Sequence, residues 1–153
     1  MIRKAEKKDI PGIINLLYQV DAVHNDIRPD LFKGNTSKYT EQELEEILGD
    51  GDKPIFVYDD GKILGHAFCQ ISEVKNHRLL QDAKTLYIDD ICVDEHSRGR
   101  HIGKALYEYV YNYAKSICCH NITLNVWEGN DSAYNFYKRM GMHIQKTGME
   151  TIL

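Results

Sequence analysis

The chain has 153 residues, a formal net charge of -4 at pH 7 and a pI near 6.0, with 42% hydrophobic and 27% charged residues. That length suits one domain with a single core, and the ordinary composition excludes a disordered or low-complexity chain. The acidic balance excludes a general nucleic-acid binder, and no apolar run reaches the length of a membrane span.

Residues 2–5 read as a short strand. Asp9 is placed to cap a helix with Pro11 in its first turn, and Ile10, Ile13, Ile14, Leu17 and Val20 recur at the spacing of one buried stripe. Residues 21–39 mix Asp21, His24, Asp26, Arg28 and Asp30 with Leu31 and Phe32, and Pro29 and Gly34 interrupt regular structure, so this stretch reads as an irregular connector. Thr40 and Glu43 form a capping box ahead of Leu44, Ile47 and Leu48, which predicts a short helix ended by Gly49 and Gly51.

Residues 54–58 and 63–74 pattern as strands joined across Asp60-Gly61, a dipeptide favoured in tight antiparallel hairpins. A polar loop over 75–84 leads to a long strand at 85–93, then a basic turn, a helix to about Cys118 and a strand at 121–127. The strand-helix-strand order predicts that these two strands pair in parallel. A last helix beginning near Asn130 would bury Ala133, Phe136, Tyr137 and Met140. Residues 142–146 and 149–153 would close the chain as a hairpin around Gly148. The expected fold is an α/β layered domain, with a mixed, mostly antiparallel sheet of about seven strands flanked by four helices.

The basic turn carries chemistry. Arg98, Gly99, Arg100, His101, Ile102, Gly103 and Lys104 span a strand-to-helix junction, where the first helical N–H groups lack intrahelical partners. Such an end attracts anions through free donors and the helix dipole, glycine permits close backbone approach, and the cations add fixed charge. Many plain turns share this pattern. From Gly99 the sequence is one residue short of a P-loop and lacks the Ser/Thr that would hold magnesium. The dinucleotide fingerprint fails as well.

The run from Arg98 to Gly103 resembles the signature of the GNAT superfamily of acetyl-CoA-dependent N-acetyltransferases, with His101 at its first glycine position. Val93-Asp94-Glu95 is similar to the Val-x-Pro that usually precedes it. A second block, from Asn130 through Ala133, Phe136, Tyr137 and Gly141 to Met142, is similar to the family's N-x-x-A-x-x-F-Y-x-x-x-G-F helix.

The resemblance implies a single N-acetyltransferase domain over the whole chain. It implies acetyl-CoA as co-substrate, gripped at Arg98–Lys104, with its pantetheine arm paired to the backbone of Ile91, Cys92 and Val93 in a gap between splayed strands. Asn130 would bond that arm or cap its helix. Tyr137 would be the proton donor to the departing thiolate, and transfer would be direct within a ternary complex.

An amine with a pKa near ~10 is nucleophilic in roughly one molecule in a thousand at neutral pH, a cost of about 4 kcal/mol, so a base is required. Asp89 and Asp90 are the candidates. Strand alternation would let only one of them face the site, with Asp89 slightly favoured unless a bulge reverses the choice. In this family the stretch between the first two helices walls the acceptor pocket, which brings in His24 and Asp26. The acceptor would be a primary amine of a small molecule or peptide, and the clustered acids suit a cationic one. The alternative is a non-catalytic module that binds or senses acyl-CoA.

Four cysteines without a C-x-x-C pair and seven histidines without H-E-x-x-H give no expectation of a metal. The N-terminal MIRKAEKKDI lacks the apolar core of a signal peptide, so a cytoplasmic protein is expected. The final hairpin would offer an exposed edge, and family members often pair this way, so the resemblance leaves a homodimer open without fixing the oligomeric state.

Overall fold

The computed structural model describes residues 1–153. Strands β1 (Ile2–Lys4), β2 (Ile55–Asp59), β3 (Ile63–Val74), β4 (Ala83–Val93) and β5 (Asn121–Thr123) lie side by side in that order. Helices α1 (Ile10–Ile27), α2 (Glu41–Leu48), α3 (Ile102–Ser116) and α4 (Asp131–Arg139) complete the chain. β1 to β4 pair antiparallel, and β5 joins β4 in parallel after the crossover through α3.

Strand alternation divides the core into two layers. Ile55, Val57 and Phe68 face Ile10, Ile13 and Leu17 of α1 and Leu44 of α2. On the opposite side Phe56, Ala67, Cys69, Leu86 and Ile88 pack with Ile102, Leu106, Val110 and Ala114 of α3. Consecutive residues of β2 thus serve opposite layers, as the period of two requires. Gly65 brings α3 close to the sheet: a Cβ there would stand 2.9 Å from Leu106 Cδ1 and 3.0 Å from the Cys92 carbonyl oxygen.

The class and the mixed, mostly antiparallel sheet agree with the sequence reading, but the sheet has five strands rather than about seven. No strand forms beyond β5. Residues 142–153 run without regular pairing, with Ile144, Met149, Ile152 and Leu153 exposed. They bury too little apolar surface to be fixed as a hairpin against the sheet, so the strand edge expected to pair two copies is not presented. β5 is also shorter than the predicted 121–127.

At the other end, α1 runs to Ile27, taking His24 and Asp26 into helix instead of a loop. It stops at Arg28, whose φ of -132° and ψ of 69° reflect the restriction imposed by Pro29. The Asp9 side chain does not cap α1. It receives Arg3 at 2.7 and 2.9 Å and the Glu6 N–H at 2.8 Å, while Arg3 also reaches Asp59 at 2.7 Å. The Thr40–Glu43 capping box forms as predicted.

Candidate active site

Pairing between β4 and β5 ends at Tyr87 and Thr123, and the chain beyond β5 diverges from β4. Asn125 alone reaches back, donating from Nδ2 to the Tyr87 hydroxyl at 3.3 Å. The gap opens into a cavity of about 1240 Å³, lined on one side by Ile91, Cys92 and Val93 of β4 and on the other by Leu124, Asn125 and Val126. The inner edge of β4 is therefore bare for its last residues, a strand edge able to pair with an extended polar chain.

At the end of β4 the chain turns through Asp94. Its carboxylate accepts from Gln19 Nε2 at 3.0 Å and from the His96 N–H at 3.2 Å, which ties the turn to α1. No backbone N–H from Arg98 to Lys104 donates to a backbone carbonyl of the chain. Gly99 has a φ of +82°, and a Cβ on it would meet nothing within 4 Å. His101 caps α3 in the left-handed region at φ 60°, which accounts for glycine being the favoured residue there and for histidine being tolerated.

Of the turn residues, Arg98, Gly99 and Gly103 line the cavity. Arg100 turns outward to Asp60 at 3.3 Å, Lys104 lies 3.8 Å from Glu108 along the helix surface, and Ile102 is core. The three cations are thus not equivalent. Arg98 supplies charge inside the cavity, whereas Arg100 and Lys104 lie outside its lining.

The acid pair is arranged by a bulge. Phe68 pairs with Asp90 and Cys69 with Ile88, so Asp89 is an extra residue on β4. Both carboxylates consequently line the same cavity, contrary to the simple alternation expected from sequence. Asp89 accepts from Lys38 Nζ at 2.6 Å; Asp90 lies 2.6 Å from Nε2 of His66, a residue of β3 with no exposed surface.

Tyr137 reaches the same space from α4. Burial first, then the nearby Asp90, pushes its phenol above the ordinary range, so the hydroxyl is held protonated. Asn130 caps α4 through Oδ1, which accepts from the Ala133 N–H at 3.3 Å, and it also lines the cavity. Cys92 also lines the cavity, but its thiol is raised well above the usual value by burial and packs against the Leu16 carbonyl. It is a poor source of thiolate.

The far wall is aromatic. His24 stacks near Phe32 at 4.9 Å, Phe32 meets the edge of Trp127 at 5.6 Å, and Arg28 lies over the Trp127 ring while pairing with Asp30 and Glu150. Asp26, one turn along from the cavity-lining His24 and Val23, is exposed and lies outside the cavity.

The pattern of the acetyltransferase (GNAT) family matches residues 20–142. The chain belongs to that family. A mutant BH1408 protein from Bacillus halodurans superimposes with a TM-score of 0.95 at 31% identity, covering 100% of this chain and 99% of that one. An N-acetyltransferase encoded in the pepI 3′ region of Lactobacillus delbrueckii subsp. lactis is 27% identical over 92% of this chain and 83% of its own length. Glucosamine 6-phosphate N-acetyltransferase of Arabidopsis thaliana is 27% identical over 92% of this chain and 88% of its own, and its crystal structure gives a TM-score of 0.73.

GNAT proteins generally use acetyl-CoA, and the cradle here suits such a ligand: a row of free backbone donors, open space at Gly99 and a bare strand edge adjoin one another. No group of three or more His, Cys, Asp and Glu side chains is arranged to hold a metal ion, and no helix is long and apolar enough to cross a membrane. Lys38 and His66 escaped the sequence reading. Lys38 lies in a stretch read as loop, and only the register of β3 on β4 sets His66 beside Asp90.

Proposed function

We propose that this GNAT protein transfers an acetyl group from acetyl-CoA to a primary amine of a small molecule or peptide by direct attack within a ternary complex. The observation carrying this reading is one continuous cavity that joins the donor-rich turn before α3 to the acid pair and Tyr137. In it, backbone donors from Arg98 to Lys104, with Arg98, Arg100 and Lys104 around them, would hold the diphosphate, and Ile91, Cys92, Val93 and Asn130 the pantetheine arm. When bound, acetyl-CoA supplies the acetyl group as an activated thioester.

The chain supplies the rest. Aspartate carboxylates at 89 and 90 lie where an ammonium must lose its proton, and that acidic environment favours a cationic acceptor. Tyr137, with its hydroxyl kept protonated, is the proton donor on the thiolate side. The aromatic wall around Phe32 and Trp127, with His24 beside it, would receive the body of the acceptor. A relative named for glucosamine 6-phosphate is compatible with a small polar amine.

The test is release of CoA thiol by the purified protein with acetyl-CoA and a panel of amino sugars, aminoglycosides, polyamines and peptide N-termini. Amine-dependent release matched by acetylated product supports the reading. Binding of acetyl-CoA without turnover of any amine contradicts it and marks an acyl-CoA-binding module instead.

A further inference from the structure

His66 is the least expected polar group near the cavity. It sits in β3 among apolar neighbours with no exposed surface, its ring edge-on to Phe68 at a centroid distance of 4.9 Å. Nε2 lies 2.6 Å from Asp90 Oδ2, while Nδ1 is buried with no hydrogen-bond partner. Nδ1 has no acceptor for a proton, so Nε2 is the nitrogen positioned to donate, and Asp90 is its partner.

The two acids are therefore held differently. Asp89 is ion-paired with the Lys38 ammonium at 2.6 Å, so an incoming acceptor must compete with that lysine for it. Asp90 is bonded through Oδ2 to the His66 imidazole, and its side chain is 18% exposed in the cavity it lines. We infer that Asp90 is the base of the transfer reaction and that His66 is its positioning residue, fixing one carboxylate oxygen from behind so that the other addresses the acceptor amine. This rests on the transfer reading above.

In the step itself, an ammonium N–H bond breaks with its electron pair retained on nitrogen, and the proton forms an O–H bond on Asp90 Oδ1. It leaves through the cavity after turnover. The groups that face this carboxylate are the Asp89–Lys38 pair, Tyr137 from α4, Cys92 from its own strand and Arg98 from the turn; α1 adds Asp21 and His24 to the cavity wall.

The experiment combines kinetics with imidazole NMR on the full chain. Asp90→Asn should lower kcat roughly 10²-fold, and His66→Leu about tenfold, with the KM for acetyl-CoA unchanged. The loss of kcat in His66→Leu should be recovered toward wild type in His66→Gln, whose amide places a donor near Nε2. Nitrogen-15 spectra at neutral pH should show His66 as the Nε2–H tautomer, with a proton resonance altered in Asp90→Asn.

Wild-type kcat in a folded His66→Leu protein, or loss of activity in Asp89→Asn but not Asp90→Asn, would overturn the assignment. So would the opposite tautomer, which is read without turnover. If wild type turns over no amine, the transfer reading fails and the base role of Asp90 fails with it, while the spectra still decide whether the His66–Asp90 pair exists.

Discussion

Tyr137 shows how one buried side chain can be read from its surroundings. Burial and the neighbouring Asp90 disfavour its ionised form, so the phenol stays protonated beyond its ordinary pKa near ~10. Tyr137→Phe should lower kcat about 10²-fold and leave acetyl-CoA affinity nearly unchanged. In wild type, no alkaline fall in kcat below pH about 10 should arise from this group. Steady-state kinetics against pH check both statements.

Arg3 and Asp9 make a residue-scale case about stability rather than catalysis. Hydrogen bonds from Arg3 hold Asp9 below the usual carboxylate range, and the Asp9 side chain is only 4% exposed. A native pKa below the unfolded one, about 4, contributes stability that is fully present above the unfolded value and is lost as pH falls through the native value. Urea melts should therefore show wild-type stability falling below about pH 4. Arg3→Ala, which strands a buried carboxylate, should cost about 2 kcal/mol at pH 7, the open side of the pair moderating the loss. A melt within a few tenths of wild type would contradict that reading.

At the scale of elements, two glycines, one facing α3 from β3 and one in the first turn of α3, should respond differently. Gly65→Ala forces a methyl against Leu106, Ile102 and the fixed carbonyl of Cys92, and should cost about 1–3 kcal/mol by thermal or urea unfolding. Gly103→Ala meets Phe136 and Val93 at 3.5 and 3.6 Å, ordinary contacts, and should fold as wild type does.

The elements that carry strong local signals were legible: the capping box at Thr40, the Asp60-Gly61 hairpin, and Asn130 as the cap of α4. Features set by tertiary register were not. The bulge at Asp89 is an event between β3 and β4, so alternation alone misassigned the acid pair to opposite faces. The closing hairpin was read from short apolar runs whose side chains remain exposed in the fold. For α1, the mixed composition of 21–27 concealed a helix that Pro29, rather than its own residues, brings to an end.

Across the whole molecule, the fold joins two ends of one cavity that lie far apart in sequence. The turn after β4 presents unpaired donors, the bulge within β4 presents carboxylates, and α4 adds the phenol. The two sequence blocks, at Arg98–Gly103 and Asn130–Met142, marked the turn and the helix that line one end of this cavity because backbone geometry there demands particular residue types. The other end depends on α1, its connector and the chain beyond β5, whose side chains meet only in three dimensions.

The measurement that tests the central claim most directly is calorimetric titration of the protein with acetyl-CoA, CoA and ATP, repeated on Gly103→Glu after its thermal melt shows a folded protein. The cavity at the start of α3 predicts micromolar or tighter binding of acetyl-CoA, much stronger than that of ATP, and its loss when a carboxylate is placed among the donors of the turn. Absence of acetyl-CoA binding at millimolar concentration, or wild-type affinity in a folded Gly103→Glu protein, would contradict the assignment of this cavity.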